Sequence, residues 1–66
     1  MNDFILNNLN KLNKKKIPNP EIDLRILLNH SRLSSKEIIL SNFNINQINI
    51  KKFNLVLNRR LAYEPI

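Results

Sequence analysis

An all-α fold is predicted for this chain, as a small bundle of four helices. Apolar residues recur at helical spacing in separate segments, and proline, serine or asparagine stands at the breaks between them. Only residues 44–50 alternate as a strand would, and the helix-cap signal there is more specific. With 66 residues and no cysteine, the chain can form one small domain held by apolar helix packing. The helices are predicted at about 3–15, 20–30, 35–41 and 47–62.

The first two helices have clear start signals. Asn2 or Asp3 can cap the first helix with a side-chain oxygen. Asn19 suits the N-cap of the second helix, and Pro20 suits its first position, where a backbone N–H would have no helical partner. The apolar stripes of these helices contain Ile5, Leu9, Leu12, Leu24, Leu27 and Leu28.

The third and fourth helices are predicted from cap signals as well. Ser34 and Glu37 fit a capping box, so a short third helix should follow them. Asn46 can cap the fourth helix, which should end before Glu64 because the residue preceding Pro65 is disfavoured in helical conformation. The predicted core includes Leu9, Leu27, Phe53 and Leu57, with Ile50 and Leu61 on the stripe of the fourth helix.

Composition disfavours several functional classes. The net charge of +6 favours acidic partners in general. Glycine is absent, and loops that cradle nucleotides or cofactors need it for positive φ or close backbone approach. One histidine and no cysteine disfavour a metal site. Apolar runs reach only three residues and the start lacks a signal-peptide pattern, so a cytoplasmic protein without a membrane segment is expected.

Asp23 and His30 are candidate functional residues on one face of the second helix. As an acid–base pair they would need to approach each other, but two helical turns separate them by about 10 Å along the axis. A structural interpretation is favoured. Asp23 would bind a basic residue of another helix, and His30 would lie where the helix dipole favours a cation.

Arg59 and Arg60 form the sharpest local signal. Adjacent helical positions point about 100° apart, so one arginine can face inward toward Asp23 while the other faces a partner or solvent. We predict that Asp23 pairs with one of them, as a clamp between helices. The basic runs at 14–16 and 51–52 would contact phosphates if the chain bound nucleic acid, but aromatic residues are not interleaved with them.

Two segments resemble one protein family in order and spacing. Residues 20–30 carry P-x-x-D-x-x-x-L-L-x-H, and residues 59–66 carry R-R-x-x-x-E-P-I. Both patterns resemble the N-terminal helical domain of the bacterial release factor glutamine methyltransferases. The resemblance spans residues 20–66, and it departs from the family at residues 31–33, where the family has one more residue and a glycine.

The resemblance implies an accessory role. The family methylates the glutamine of the Gly-Gly-Gln motif in peptide-chain release factors, using S-adenosylmethionine, and its N-terminal domain is thought to help position that substrate. Its methyl-donor loop and Asn-Pro-Pro-Tyr motif are absent from this chain. We therefore expect residues 1–66 to form a single helical domain, monomeric, without the catalytic domain and with no activity or cofactor of its own. Its partner would be a release factor, reached through the parent enzyme.

The alternatives are a small basic nucleic-acid-binding protein, which is disfavoured, and a helical protein-interaction module of unrelated origin. No residue is predicted to be catalytic, cofactor-binding or metal-binding. The candidates for structural or partner contacts are Asp23, His30, Arg59, Arg60, Glu64 and Pro65.

Overall fold

The computed structural model describes residues 2–62, and within that range the fold is helical, as predicted. Its three α-helices are α1 (Asp3–Lys14), α2 (Pro20–His30) and α3 (Ile50–Leu61). Helix α2 packs against both α1 and α3. The connector between α2 and α3, residues 31–49, contains two 3-10 turns at Leu40–Asn42 and Ile45–Gln47. The described residues contain no sheet strand, only one antiparallel bridge between Arg32 and Ile48.

The prediction of a third α-helix at 35–41 is wrong. Ile39 has extended backbone angles, with φ −114° and ψ 137°, and only the short 3-10 turn follows it. The buried apolar residues of the connector are Ile38, Phe43 and Ile48, which are five positions apart. An α-helix returns to the same face after three or four residues, so it could not bury all three of these side chains. The connector instead runs in bends and turns that bring each side chain into the core.

The predicted capping box lies elsewhere in the connector. Ser34 does not pair with Glu37; its hydroxyl oxygen accepts the N–H of Lys36 at 3.3 Å. The reciprocal pattern is instead made by Asn44 and Gln47, around the second 3-10 turn. The Gln47 side chain accepts the N–H of Asn44 at 2.7 Å, which closes this turn on itself.

Helix α3 begins three residues later than predicted. Its cap is Asn49 rather than Asn46, and the Asn49 side chain accepts the N–H of Lys52 at 3.2 Å. The backbone explains the shift, because Ile48 is extended and the N–H of Asn49 donates to the carbonyl of Ser31 at 2.8 Å. These two residues are held beside the end of α2, so the helix can start only after them.

One core holds the connector and the helices together. Phe53 is fully buried, and the ring of Phe4 lies 5.3 Å from its ring and 5.4 Å from that of Phe43. Leu27 and Leu57 are buried as predicted, but Leu9 is only partly buried at the edge of the core. The core of the described residues consists of Ile5, Leu12, Ile17, Leu24, Leu27, Leu28, Ile38, Phe43, Ile48, Phe53 and Leu57.

The turn between α1 and α2 is made without glycine. Lys16 has φ 58°, in the left-handed region where glycine is usual after a helix. Its N–H donates to Asn13, and the N–H of Ile17 reaches back to the carbonyl of Leu12, which completes a Schellman motif. Asn19, expected to cap α2 with its side chain, is also left-handed at φ 53° and makes no such hydrogen bond.

Candidate functional site

The junction between α2 and α3 is built on a predicted ion pair, which is present in the structure. Arg60 donates from Nε to Asp23 Oδ2 at 2.9 Å, and its terminal nitrogen lies 2.7 Å from the same oxygen. The two side chains are 18% and 12% exposed, so the contact is largely shielded from water. The pair joins the first turn of α2 to the last turn of α3.

Packing distinguishes the two neighbouring arginines. Arg60 is partly buried beside Asp23, whereas Arg59 is exposed. His30 is also exposed, in the last turn of α2, while Asp23 lies in the first turn and engages Arg60. The structure therefore does not bring Asp23 and His30 together as an acid–base pair. Glu64 and Pro65 lie outside the described residues.

Sequence reasoning missed Asn29, which holds the connector against α2. Its side-chain amide donates to the carbonyl of Ile38 at 3.2 Å, and its side-chain oxygen accepts the N–H of Ile38 at 2.8 Å. It also donates to the carbonyl of Arg25 at 2.8 Å, within its own helix. The side chain of Asn29 therefore hydrogen-bonds both backbone groups of Ile38, nine positions away, as a residue of a neighbouring strand would. The sequence signal for these hydrogen bonds is an asparagine in the last turn of a helix, followed by polar residues. This signal is weak.

Ser31 has a related role at the end of α2. It is fully buried, and its hydroxyl lies 3.2 and 3.1 Å from the carbonyl oxygens of Leu27 and Leu28, to which it donates. Its own carbonyl accepts the N–H of Asn49. The segment where the family resemblance departs is therefore well bonded, without the glycine expected of the family.

A surface groove opens beside these contacts, between the C-terminal half of α2 and the start of the connector. Its walls combine basic, polar and apolar side chains with one carboxylate. The lining residues are Arg25, Ile26, Asn29, His30, Arg32, Leu33, Ser34, Ser35 and Glu37. The groove contains the predicted candidate His30, but neither residue of the ion pair.

Two further searches of residues 2–62 gave negative results. No three side chains of histidine, aspartate or glutamate in this range gather as metal ligands would. No helix in this range is long and apolar enough to cross a membrane.

Comparison with known proteins relates the chain to methyltransferases. It is 45% identical over 65 residues to a bifunctional methyltransferase of Rickettsia typhi, a match that covers 94% of the chain. It is 41% identical over 58 residues to bifunctional methyltransferases of Rickettsia conorii and Rickettsia bellii, with 85% of the chain covered. No protein-family model matches the chain, and no solved structure matches it.

The chain spans only a small part of these relatives, between 10% and 12% of their length. It therefore corresponds to a methyltransferase-related helical domain. The narrower resemblance to release factor glutamine methyltransferases, and with it the substrate, belongs to the proposal that follows.

Proposed function

We propose that this chain is the non-catalytic helical domain of a release factor glutamine methyltransferase, and that it helps to position the release factor for the catalytic domain. The observation that carries the proposal is the similarity to bifunctional methyltransferases over 94% of the chain, at 45% identity. The name of those relatives supports methyl transfer as the reaction of the parent enzyme. The resemblance of the two sequence patterns to release factor glutamine methyltransferases supports a release factor as its substrate.

The ion pair supports this proposal because it joins the two segments that carry the resemblance. Asp23 belongs to the first pattern and Arg60 to the second, and their side chains are in direct contact. Breaking a shielded charge pair of this kind is costly, since removing one partner leaves the other unpaired, so the pair favours the packing of the two helices in which it forms. A rigid angle between α2 and the end of α3 would set the direction in which the chain continues toward a catalytic domain.

The packing of the aromatic rings disfavours nucleic acid as the partner. Modules that bind single strands stack bases on exposed aromatic side chains. Phe4 instead packs on the rings of Phe43 and Phe53, which are buried in the core, and is itself partly buried there. The lysines remain able to attract phosphates through net charge, but none of the phenylalanines within residues 2–62 is exposed for stacking on a base.

Calorimetric titration of the 66-residue chain with a bacterial peptide-chain release factor tests the proposal. At about 150 mM salt, where the Debye length is about 8 Å, we expect saturable binding that weakens only moderately as salt is raised. Titration with S-adenosylmethionine is the matched control, and we expect no binding there. Parallel titrations use duplex and single-stranded nucleic acid, whose binding should fall steeply with salt because it is driven by counterion release.

A domain exchange addresses substrate positioning directly. Replacing the helical domain of a release factor glutamine methyltransferase with this chain should preserve methyl transfer to the release factor. Deleting the helical domain should raise KM for that substrate. Submicromolar, sequence-selective nucleic-acid binding by the chain, with no release-factor contact even in the exchanged enzyme, would overturn the proposal.

A further inference from the structure

We infer that the groove at the C-terminal end of α2 receives an acidic segment of the protein partner. This inference rests on the proposed function, because it takes the partner to be the release factor. It adds the contact surface and the chemistry of the segment recognised there. The groove is separate from the ion pair, which lies at the opposite end of α2.

The charges of the groove favour a carboxylate-bearing ligand. Arg25 and Arg32 are exposed in its lining, and Glu37 is the one acidic residue there. Neither arginine forms an ion pair within the part of the chain that the structure describes. Two guanidinium groups without a carboxylate partner suit two carboxylates of a bound chain, because the arginine fork matches carboxylate geometry.

The apolar residues of the groove favour a polypeptide over a free anion. Leu33 is 64% exposed at its edge, and Ile26 contributes a partly buried side chain. Ser34 and Ser35 add hydroxyl groups to the same wall. A groove with separate apolar and polar positions matches a segment in which acidic residues alternate with an apolar one.

The groove is pre-formed by the connector contacts. Asn29 holds Ile38 by two hydrogen bonds, and the N–H of Leu33 donates to the carbonyl of Gln47 at 2.9 Å. These bonds hold both ends of the wall that carries Leu33 and Glu37. A wall that is already ordered loses little conformational entropy when a ligand binds, which favours affinity.

Nucleic acid fits this groove less well. Glu37 would repel phosphates, which a nucleic acid carries at every nucleotide, whereas a polypeptide can place an uncharged or basic residue beside it. No phenylalanine, tyrosine or tryptophan lines the groove for base stacking. In a complex with a polypeptide, Glu37 can instead accept a backbone N–H or pair with a lysine of the segment. The observations therefore favour a protein ligand.

The test is a titration of the ¹⁵N-labelled chain with a bacterial peptide-chain release factor, followed by NMR. We expect the largest shift changes at the backbone amides of Arg25, His30, Leu33 and Ser35. The double variant R25E/R32E should bind the release factor at least about tenfold more weakly, since it replaces two charge-assisted contacts by repulsion. The control K11E/K14E makes the same change in net charge on α1, and its affinity should stay within about twofold of the parent chain.

Both arginines are exposed, so the double variant should keep its helical circular dichroism and its melting temperature. The variant E37Q gives a second readout, because it removes the carboxylate of the groove lining and raises the net charge by one. It should retain release-factor binding, whereas nucleic-acid binding should tighten modestly because the repulsion by Glu37 is gone.

The outcomes separate this inference from the proposed function. If the release factor binds but the shifts lie on another surface, or R25E/R32E and K11E/K14E weaken binding equally, the groove is not the contact. The same titration with single-stranded RNA overturns the inference if RNA shifts the groove amides while the release factor does not. Absence of release-factor contact both by the parent chain and by the exchanged enzyme refutes the proposed function and this inference with it.

Discussion

The helices and the connector of this domain are ordered by different forces. In α1, α2 and α3, buried side chains recur every three or four residues, as in Phe53 and Leu57. In the connector, residues 31–49, the buried apolar side chains stand five apart, and the backbone between them is extended or tightly turned. Hydrogen bonds from polar side chains to the backbone hold that shape, most clearly the two between Asn29 and Ile38.

This difference explains why the two regions were predicted with different success. A helix satisfies its backbone groups within itself, so its position follows from local spacing and caps. The connector satisfies part of its backbone through residues far away in the sequence, such as Ser31 with Asn49.

Truncating a buried residue of a helix should have the largest effect. Leu57→Ala removes a side chain that is 3% exposed in α3 and should lower the free energy of unfolding by about 2–5 kcal/mol. Leu55→Ala, on the same helix but 56% exposed, should change it by no more than about 0.5 kcal/mol. Urea unfolding followed by circular dichroism measures both. Equal effects of the two substitutions would mean that the buried face of α3 is misassigned.

Breaking the ion pair should have the next largest effect. Asp23→Asn leaves Arg60 without its carboxylate and should cost about 2–3 kcal/mol, because the pair is shielded but not fully buried. Arg59→Ala, one residue along and exposed, should cost no more than about 0.5 kcal/mol. A double-mutant cycle of Asp23→Asn with Arg60→Met measures the coupling. A coupling energy near zero would contradict a clamp between α2 and α3.

Removing the hydrogen bonds between Asn29 and Ile38 should destabilise mainly the connector. Asn29→Ala deletes the two hydrogen bonds to Ile38 and should cost about 1–2 kcal/mol. Amide hydrogen exchange should show faster exchange at Ile38 while the middle of α3 stays protected. The control Asn54→Ala, at an exposed position of α3, should leave stability unchanged or slightly raised because alanine favours helix. Equal acceleration of exchange in both regions would show that the connector does not open separately.

Glycine at the end of α1 should give the smallest effect, and it should stabilise. Lys16→Gly removes the strain of a left-handed lysine, worth about 1–2 kcal/mol, but makes the unfolded chain more flexible. The free energy of unfolding, measured with urea, should therefore rise by about 0.5–1 kcal/mol. Lys11→Gly, inside α1 and exposed, should lose about 0.5–1 kcal/mol instead. A loss in both variants would argue against the Schellman turn.

The sequence predicted the ion pair of the candidate site but not its groove. The spacing of one carboxylate and two adjacent arginines predicted the ion pair, and the structure contains it. Helical spacing also favours Arg60 over Arg59, because Arg60 follows the buried Leu57 by three residues and shares its face of α3, whereas Arg59 follows it by two. The groove could not be predicted, because its second wall was taken to be a helix. Asn29, which holds that wall, carries no pattern that separates it from the other asparagines of the chain.

The sequence by itself determined the helical class, the three long helices and the turn at Pro20, because apolar spacing and end signals act within a few residues. Tertiary structure alone decided two things: where α3 begins and how the connector runs. Each depends on burial of side chains that are distant in sequence. In the connector, the free energy gained by burying three apolar side chains in the core outweighed the local helix propensity. These side chains are Ile38, Phe43 and Ile48. Local propensity contributes tenths of a kcal/mol per residue, whereas burying one such side chain contributes about 1.5–3 kcal/mol.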